Sequence, residues 1–378
     1  MTGPTVSPTV GLDATPLVGR LTGVGTYVHR LVHALAALPT GEAPSLVATA
    51  FTVRGAGALP ARLPDGVPVR SRPVPARLLR RAWGPAGAVP VELLTGPLDV
   101  FHATNFVLPP ARRAAGVLTV HDLAYLRHRS TVAAASLAYR ELVPLGIARA
   151  GAVCTPSAAV REQVLDAYRV DPDRVHVTPL GVDPVWHRAQ PDPEVARRLD
   201  LPGEYLLAVG TLEPRKNLAT LVAAHRLLSA RREDVPPLVL VGGEGWGESL
   251  ALTPEDRVRL TGHLDDADLR ALVAGATLLA FPSLDEGFGL PPLEALACGV
   301  PVLASDLPVT REVLGDAAAY GDAGDVEAWA DALERALRDP VGDPGTRRER
   351  AARFTWEATA RATLRAYEVA LGRAPGSP

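Results

Sequence analysis

Short apolar runs alternate with longer segments of helical periodicity along the whole chain of 378 residues. An apolar run of roughly four to eight residues bounded by turn-forming residues is typical of a buried parallel strand. Strands are therefore predicted at 10–13, 46–53, 67–70, 98–102, 117–121, 153–155, 175–178, 205–210, 238–242, 258–262, 277–281 and 300–304. Helices are predicted at 27–38, 131–149, 158–169, 218–228, 293–298, 326–338 and 355–371.

The alternation of strand and helix restarts after a proline-containing stretch that begins at Pro179. This pattern predicts an α/β protein with two Rossmann-like, doubly wound parallel sheets that face each other across a cleft. The predicted domain limits are 1–185 and 186–354, followed by a C-terminal helical segment at 355–378.

Composition narrows the class of protein. Apolar residues make up 47% of the chain, which is ample for two cores. No apolar run reaches the roughly 18 residues of a membrane span, and the N-terminus lacks the basic start and apolar run of a secretion signal. Cys154 and Cys298 lie in apolar segments, so we expect reduced packing residues in a cytoplasmic protein. No cysteine and histidine cluster has the spacing of a metal site.

Charge is distributed unevenly between the two halves. Residues 1–185 hold 18 arginines against 12 acidic residues, whereas the remainder holds 21 basic and 30 acidic residues. A basic first half favours an anionic partner. The segment 76–83, ARLLRRAW, is a candidate for peripheral contact with the inner face of an anionic membrane, and an ordinary solvated helix explains it equally well.

The stretch 281–305, FPSLDEGFGLPPLEALACGVPVLAS, carries the strongest chemical signal. Glu286 follows a strand, Pro291 and Pro292 suit the first turn of a helix, Glu294 lies inside that helix, and Gly299 ends it. The backbone N–H groups at the helix N-terminus belong to Gly287, Phe288, Gly289 and Leu290. Such a terminus favours an anion, and carboxylates beside it suit a ligand that also carries hydroxyl groups.

Two further loops have the residues of an anion site. Arg215 and Lys216 stand between a strand and a helix, where two cations would neutralise a diphosphate. Lys216 is the one lysine in an arginine-rich chain, which favours a specific role over a surface charge. Gly23 and Gly25 lie in the loop that opens the first helix, a placement that suits close approach of phosphate to the backbone.

These residues together resemble the retaining GT-B glycosyltransferases of the GT4 class. The resemblance rests on Glu286 and Glu294 in EGFGLPPLEALACGVPV, and on the string GLDATPLVGRLTGVGTYVHRLVHAL near the N-terminus. It implies that Glu286 meets the transferred sugar and Glu294 the ribose of the nucleotide, while Arg215 and Lys216 bind the diphosphate. It also implies that the domain at 186–354 binds the nucleotide sugar, that 1–185 is the acceptor side, and that the last helix crosses back onto the first domain.

The resemblance adds two residues. His121, which ends the predicted strand at 117–121 and belongs to VHDLAYLRH, is implied to reach the donor sugar, whereas His128 and Asp122 in the same string match less clearly. Backbone groups near Leu264 are implied to hold the base. His102 and Asn105 are further candidates for the acceptor cleft, although local hydrogen bonding in the turn is the interpretation that the sequence favours.

The predicted function is transfer of a hexose from a nucleotide-diphosphate sugar to a glycan, glycolipid or small-molecule acceptor. Resemblance of GVGTY and HDLAYLRH to bacterial polysaccharide enzymes favours mannose from GDP-mannose. No metal is implied, because Arg215 and Lys216 face the diphosphate. No other cofactor and no nucleic acid is implied. A GT-B epimerase or hydrolase of sugar nucleotides, and a non-catalytic nucleotide-sugar-binding subunit, remain as alternatives.

Overall fold

The computed structural model describes residues 7–84, 87–127, 134–201, 203–243, 245, 250, 252–253 and 256–372. These residues divide into two compact units. Unit 1 takes in the described residues of 7–126, 134–181 and 355–372, and unit 2 takes in residue 127 and the described residues of 182–354. The segment after residue 354 therefore belongs to the unit that the chain builds first.

Unit 1 contains a six-stranded parallel sheet with helices around it. Its strands are β1 Thr9–Asp13, β2 Ser45–Thr49, β3 Val100–Ala103, β4 Ala115–Thr119, β5 Ala152–Thr155 and β6 Val175–Val177. Its helices are α1 Gly23–Ala36, α2 Ala76–Ala82, α3 Glu92–Thr95, α4 Ala124–Arg127, α5 Tyr139–Arg149, α6 Ala158–Tyr168 and α14 Trp356–Ala370, of which the last residue of α4 is counted in unit 2. The strand order is β2-β1-β3-β4-β5-β6, and every recorded strand pair is parallel.

Unit 2 repeats this architecture. Its strands are β7 Leu206–Val209, β8 Leu238–Val241, β9 Val258–Gly262, β10 Leu278–Phe281, β11 Val302–Ser305 and β12 Ala319–Gly321. Its helices are α7 Pro193–Arg198, α8 Leu218–Arg231, α9 Asp266–Ala274, α10 Leu290–Cys298, α11 Pro308–Leu314, α12 Val326–Arg338 and α13 Pro344–Ala352. The order is β12-β11-β10-β7-β8-β9, and the recorded pairs are again parallel.

Each sheet has a point where the direction of winding reverses. In unit 1 the reversal lies between β1 and β3, and in unit 2 between β7 and β10. Ligands of doubly wound sheets bind outside the carboxyl ends of the strands at this point, because the two connections leave in opposite directions and open a crevice. The loops after β1, β3, β7 and β10 are therefore where a site is expected.

Two predicted elements differ clearly from the structure, and one strand of the structure was not predicted. Residues 67–70 were predicted as a strand, but they form only an isolated bridge between Val69 and Ala48, because Pro68 has no N–H to extend a ladder. The helix predicted at 131–149 begins as the α-helix α5 at Tyr139, after a short 3-10 turn, and residues 131–133 lie outside the described residues. The short edge strand β12 was not predicted.

Helix α14 is joined to the sheet of unit 1 by a buried polar network. Nδ1 of His102, at the end of β3, is hydrogen-bonded to the Tyr367 hydroxyl at 2.8 Å, and Nε2 to the Thr119 hydroxyl at 2.7 Å. The Thr119 oxygen is also 3.1 Å from the hydroxyl of Tyr27 on α1. Burial lowers the pKa of His102 to about 3, so the ring is neutral and both of its nitrogens have a partner. The network connects β3, β4, α1 and α14.

Helix α2 packs on the core of unit 1 through Leu79 and through Trp83, which directly follows the helix. Leu79 and Trp83 are buried in the core of unit 1, and the Trp83 indole N–H donates to the Val89 carbonyl at 3.0 Å. Leu78 is 62% exposed. Among the described helices, none has the length and apolarity that crossing a bilayer requires. Membrane contact through 76–83 stays a prediction.

The Tyr367→Phe substitution should test the polar network. It removes the hydroxyl partner of a fully buried imidazole, and an unsatisfied buried polar atom costs about 1–3 kcal/mol. We expect a lower midpoint in thermal and urea unfolding. Tyr168→Phe is the matched control, since that hydroxyl bonds to Tyr125 in a part-buried position and should cost less. Equal losses in the two variants would contradict a special contribution of the network.

Candidate functional site

The loops after β7 and β10 are joined at the reversal point of unit 2 by hydrogen bonds that backbone and side-chain donors make to backbone carbonyls. The N–H of Leu284 donates to the Arg215 carbonyl at 2.9 Å, and Nη1 of Arg215 donates to the Asp285 carbonyl at 2.8 Å. Asn217, which has a left-handed conformation at the start of α8, donates from Nδ2 to the Pro282 carbonyl at 3.2 Å. These contacts fix the two loops against each other, so the side chains that they carry have defined positions.

Arg215, Lys216 and Glu286 meet there in one ionic cluster. Nζ of Lys216 lies 2.7 Å from Oε1 of Glu286, and Nη1 of Arg215 lies 3.1 Å from Oε2. Glu213 adds a second carboxylate, 2.8 Å from Nη2 of Arg215. The four side chains carry no net charge, so the two cations are balanced by protein carboxylates.

The cluster is largely shielded from solvent. The side chains of Arg215, Lys216 and Glu286 are 17%, 15% and 9% exposed. Burial alone would raise the pKa of Glu286, but the charges of Lys216 and Arg215 outweigh burial and hold the pKa at about 2, below its ordinary 4.5. Glu286 is therefore an ionised carboxylate at any physiological pH.

Helix α10 follows this cluster; it begins at Leu290, three residues before the predicted start at 293, and ends at Cys298 as predicted. Gly289 precedes it with a φ of +96°, and Gly299 ends it with a φ of +83°, both in the left-handed region that favours glycine. Pro291 and Pro292 occupy its first turn and supply no N–H. The backbone N–H groups that the sequence assigns to an anion therefore belong to residues before the prolines, Gly287, Phe288, Gly289 and Leu290.

The remaining predicted residues of unit 2 are Phe288, Glu294 and Leu264. The ring of Phe288 is buried edge-on against Phe354, with centroids 5.6 Å apart, which gives this side chain a packing role. Burial raises the pKa of the Cys298 thiol, and the charge of Glu294, which is half-buried one turn earlier on α10, raises it further. Leu264 is buried between β9 and α9, where Asp265 caps the helix by accepting from the Asp268 N–H at 2.9 Å.

Helix α13 holds the far end of α10. Arg347 donates to the Gly299 carbonyl at 3.0 Å, and Arg348 donates to the Cys298 carbonyl at 2.9 Å. Carbonyls at a helix C-terminus have no partner within the helix and carry partial negative charge, so both bonds are favourable. These arginines were not predicted from the sequence, although the segment RRER, with its three arginines ahead of a helical stretch, was a visible signal.

Gly23 and Gly25 were predicted in the loop that opens the first helix, but they are the first and third residues of α1. A Cβ added to Gly25 would lie 2.8 Å from the Pro16 carbonyl oxygen and 3.0 Å from Cδ2 of Leu21, so the close packing of this helical turn requires glycine there. A Cβ added to Gly23 would meet nothing within 4 Å. Local packing thus explains Gly25 but gives no reason for glycine at 23, the first residue of α1.

His121 follows β4 and is fixed by its neighbours. Its Nε2 donates to the Thr104 carbonyl at 2.8 Å, and the ring is edge-on to Tyr27 and Phe106 at centroid distances of 5.0 and 5.6 Å. Burial lowers its pKa, and the contact with Thr104 opposes this only in part, so the imidazole is neutral. His102, in contrast, is fully enclosed in the polar network and does not line a cleft.

The structure thus brings together Arg215, Lys216 and Glu286 by direct contact, and it places His121 and the first turn of α1, with Gly23 and Gly25, within unit 1. Within the described parts of the chain, no three histidine, cysteine or acidic side chains gather as metal ligands. His128, in the string around His121, lies outside the described residues.

Comparison with known proteins covers both units. Residues 21–186 match the family described as Glycosyltransferase Family 4, and residues 194–358 match the family described as Glycosyl transferases group 1. O-antigen chain mannosyltransferase B of Escherichia coli is 31% identical over 283 residues, which are 71% of this chain and 74% of the relative. A D-inositol 3-phosphate glycosyltransferase of Stackebrandtia nassauensis is 34% identical over 261 residues, which are 61% and 57% of the two chains.

A solved structure shares the fold. The crystal structure of Anabaena Alr3699/HepE in complex with UDP and glucose superposes with a TM-score of 0.68 at 19% identity, covering 94% of this chain and 97% of the other. Together with the two six-stranded parallel sheets, this likeness confirms the predicted GT-B fold class.

Alanine at the two glycines should separate packing from ligand approach. Gly25→Ala should lower the unfolding midpoint, because overpacking against the Pro16 carbonyl costs about 1–3 kcal/mol. Gly23→Ala should leave the midpoint unchanged and weaken donor binding, measured by calorimetry with nucleotide sugars. Unchanged donor affinity in a folded Gly23→Ala protein would assign this glycine to the turn alone.

The pKa of Glu286 makes the stability of unit 2 depend on pH in a defined window. The folded-state pKa of about 2 lies below the ordinary 4.5, so the contribution is complete above pH 4.5 and declines as the pH falls from 4.5 towards 2. The stability difference between the wild type and Glu286→Gln should therefore be constant near neutrality and narrow below pH 4.5. Urea unfolding at several pH values measures it, and a difference independent of pH would show that the carboxylate is not held ionised.

Proposed function

Because the chain belongs to the group 1 glycosyltransferases of GT4 type, we propose that it transfers a hexose with retention of anomeric configuration. The donor is a nucleotide-diphosphate sugar, and the acceptor is a hydroxyl group of a glycan, glycolipid or small molecule. GDP-mannose is the favoured donor, which the relative named an O-antigen chain mannosyltransferase supports. The same relative supports a part in bacterial polysaccharide assembly, which we place in the cytoplasm.

The observation that carries this proposal is the cluster of Arg215, Lys216 and Glu286 at the reversal point of a doubly wound sheet. A diphosphate would replace Glu286 as the partner of both cations, since its oxygens accept charged hydrogen bonds at least as well as a carboxylate. Glu286 would then accept hydrogen bonds from hydroxyl groups of the transferred sugar. The exchange keeps both cations paired, and the sugar hydroxyl groups supply the hydrogen bonds that the buried carboxylate of Glu286 then needs.

The other predicted residues have supporting roles. Backbone N–H groups of Gly287, Phe288, Gly289 and Leu290, together with those near Gly23 and Gly25, would bind phosphate oxygens. Glu294 would accept from the ribose hydroxyls, and backbone groups near Leu264 would hold the base.

The reaction is proposed to occur on one face of the sugar. The bond from the anomeric carbon to the diphosphate oxygen breaks as the acceptor oxygen bonds to the same face, and the departing diphosphate takes the proton of the acceptor hydroxyl. Arg215 and Lys216 stabilise the negative charge on the leaving group. The neutral imidazole of His121 orients the sugar and supports positive charge at its ring. No motif supplies a second carboxylate opposite Glu286, which a two-carboxylate mechanism would need.

Product analysis tests the proposal. A thermal-shift screen of GDP, UDP and dTDP identifies the base, and the wild type is then incubated with the matching sugar donor and candidate acceptors. Proton NMR should show an α-configured linkage from an α-linked donor. A β-linked product, release of free hexose alone, or an ester-linked glycosyl enzyme would contradict retaining front-face transfer.

Variants in the cluster separate chemistry from stability. Lys216→Met and Arg215→Ala should each lower turnover by about 10²-fold, the loss expected for a transition-state cation, and should also lower the unfolding midpoint because Glu286 stays buried. The Lys216→Met/Glu286→Gln double variant should regain stability but not turnover. Arg231→Ala, which removes an exposed ion pair with Asp331 in the same unit, is the control. Near-normal turnover in Lys216→Met would overturn the assignment.

A further inference from the structure

A cavity of about 150 Å³ lies wholly within unit 1, at the reversal point between β1 and β3. Its charged lining consists of Asp13, the last residue of β1, and Arg80 on α2. Asn105 and Tyr139 add an amide and a phenol, and Trp83 supplies an aromatic wall. The sequence analysis named Asn105 for the acceptor cleft but did not identify Asp13 or Arg80 as its neighbours.

Two hydrogen bonds through Thr104 connect the cavity lining to His121, the predicted catalytic histidine. The Thr104 hydroxyl donates to the Asp13 carbonyl at 2.6 Å, and the Thr104 carbonyl accepts from His121 at 2.8 Å. The carboxylate of Asp13 is itself oriented, because its Oδ1 accepts from the Thr15 N–H at 2.9 Å. Asp13 and Asn105 thus lie on either side of the residue that holds His121.

The lining suits a hydroxylated ring. A carboxylate accepts hydroxyl hydrogens, a guanidinium and an amide donate to hydroxyl oxygens, and aromatic walls bury the C–H faces of a sugar. The one negative and one positive charge among the described lining residues cancel, whereas phosphate sites carry an excess of cations or backbone donors. Burial raises the pKa of Asp13 to about 6, against the opposing effects of Thr15 and Arg80, so the carboxylate is mainly ionised at neutral pH and would repel a phosphate.

We infer that this cavity binds the acceptor as an uncharged hydroxylated ring, with Asp13 and Arg80 on its hydroxyl groups, and that it disfavours a phosphorylated ring. The inference rests on the proposed function, since it names the acceptor class of the same enzyme. The inferred acceptor class agrees with one relative and not with the other, because one is named for O-antigen chains and the other for inositol 3-phosphate.

Binding measured without a donor tests this inference independently of transfer. Saturation-transfer NMR on the full chain uses two probes, methyl α-mannopyranoside and inositol 3-phosphate, with wild type, Asp13→Asn and Arg80→Gln. Asparagine keeps the oxygen that accepts from Thr15, so the first variant removes charge without removing that bond. Asp65→Asn and Arg72→Gln are matched controls at exposed positions of unit 1.

The wild type should bind the mannoside more tightly than inositol 3-phosphate. Asp13→Asn and Arg80→Gln should each weaken mannoside binding by about tenfold, the size expected for one lost charged hydrogen bond, and the controls should not. Asp13→Asn should bind inositol 3-phosphate at least as tightly as the wild type. Tighter wild-type binding of the phosphate, no mannoside binding, or mannoside binding unchanged in both cavity variants would overturn the inference. GDP and UDP binding, followed on the same proteins, reports separately on the proposed function and should not change.

Discussion

The carboxylate of Glu286 between Lys216 and Arg215 is the constraint on which unit 2 depends most. A buried carboxylate is stable only with compensating charge, and here that charge comes from a loop 70 positions earlier in the chain. The pairing holds the ends of β7 and β10 together at the point where the sheet changes direction. The same atoms that stabilise the fold are those offered to a donor, so stability and chemistry are coupled at this cluster.

The local elements around the site follow from the sequence, but the electrostatic balance does not. Pro291, Pro292 and Gly299 predict the limits of α10 because each acts through its own backbone geometry. Arg215 and Lys216 were also identified correctly as neighbours of a helix start. Their contact with Glu286 depends on which strands lie side by side, and strand order has no local signal. Arg215 and Lys216 therefore belong to a neutral cluster, although the sequence alone shows only their two positive charges.

Unit 1 shows the same limit in its buried polar residues. His102 lies near the carboxyl end of β3, as ligand-binding residues do, but the hydroxyl that bonds to it comes from Tyr367, 265 positions later. Gly25 has the spacing of a phosphate loop, yet contact with the Pro16 carbonyl and Leu21 already requires glycine there. Patterns in the amino-acid sequence identify candidate positions well. Whether a candidate contacts ligand, protein or both is decided by long-range packing that no short motif contains.

The origin of Tyr367 has a consequence for biosynthesis. During translation the six strands of unit 1 leave the ribosome before unit 2, yet the helix that satisfies His102 follows unit 2 in the chain. Until that helix is made, the nascent sheet exposes the surface that α14 will cover, while unit 2 can complete its own core. Unit 1 is thus begun before unit 2 and completed after it, and chaperones would bind it in that open form.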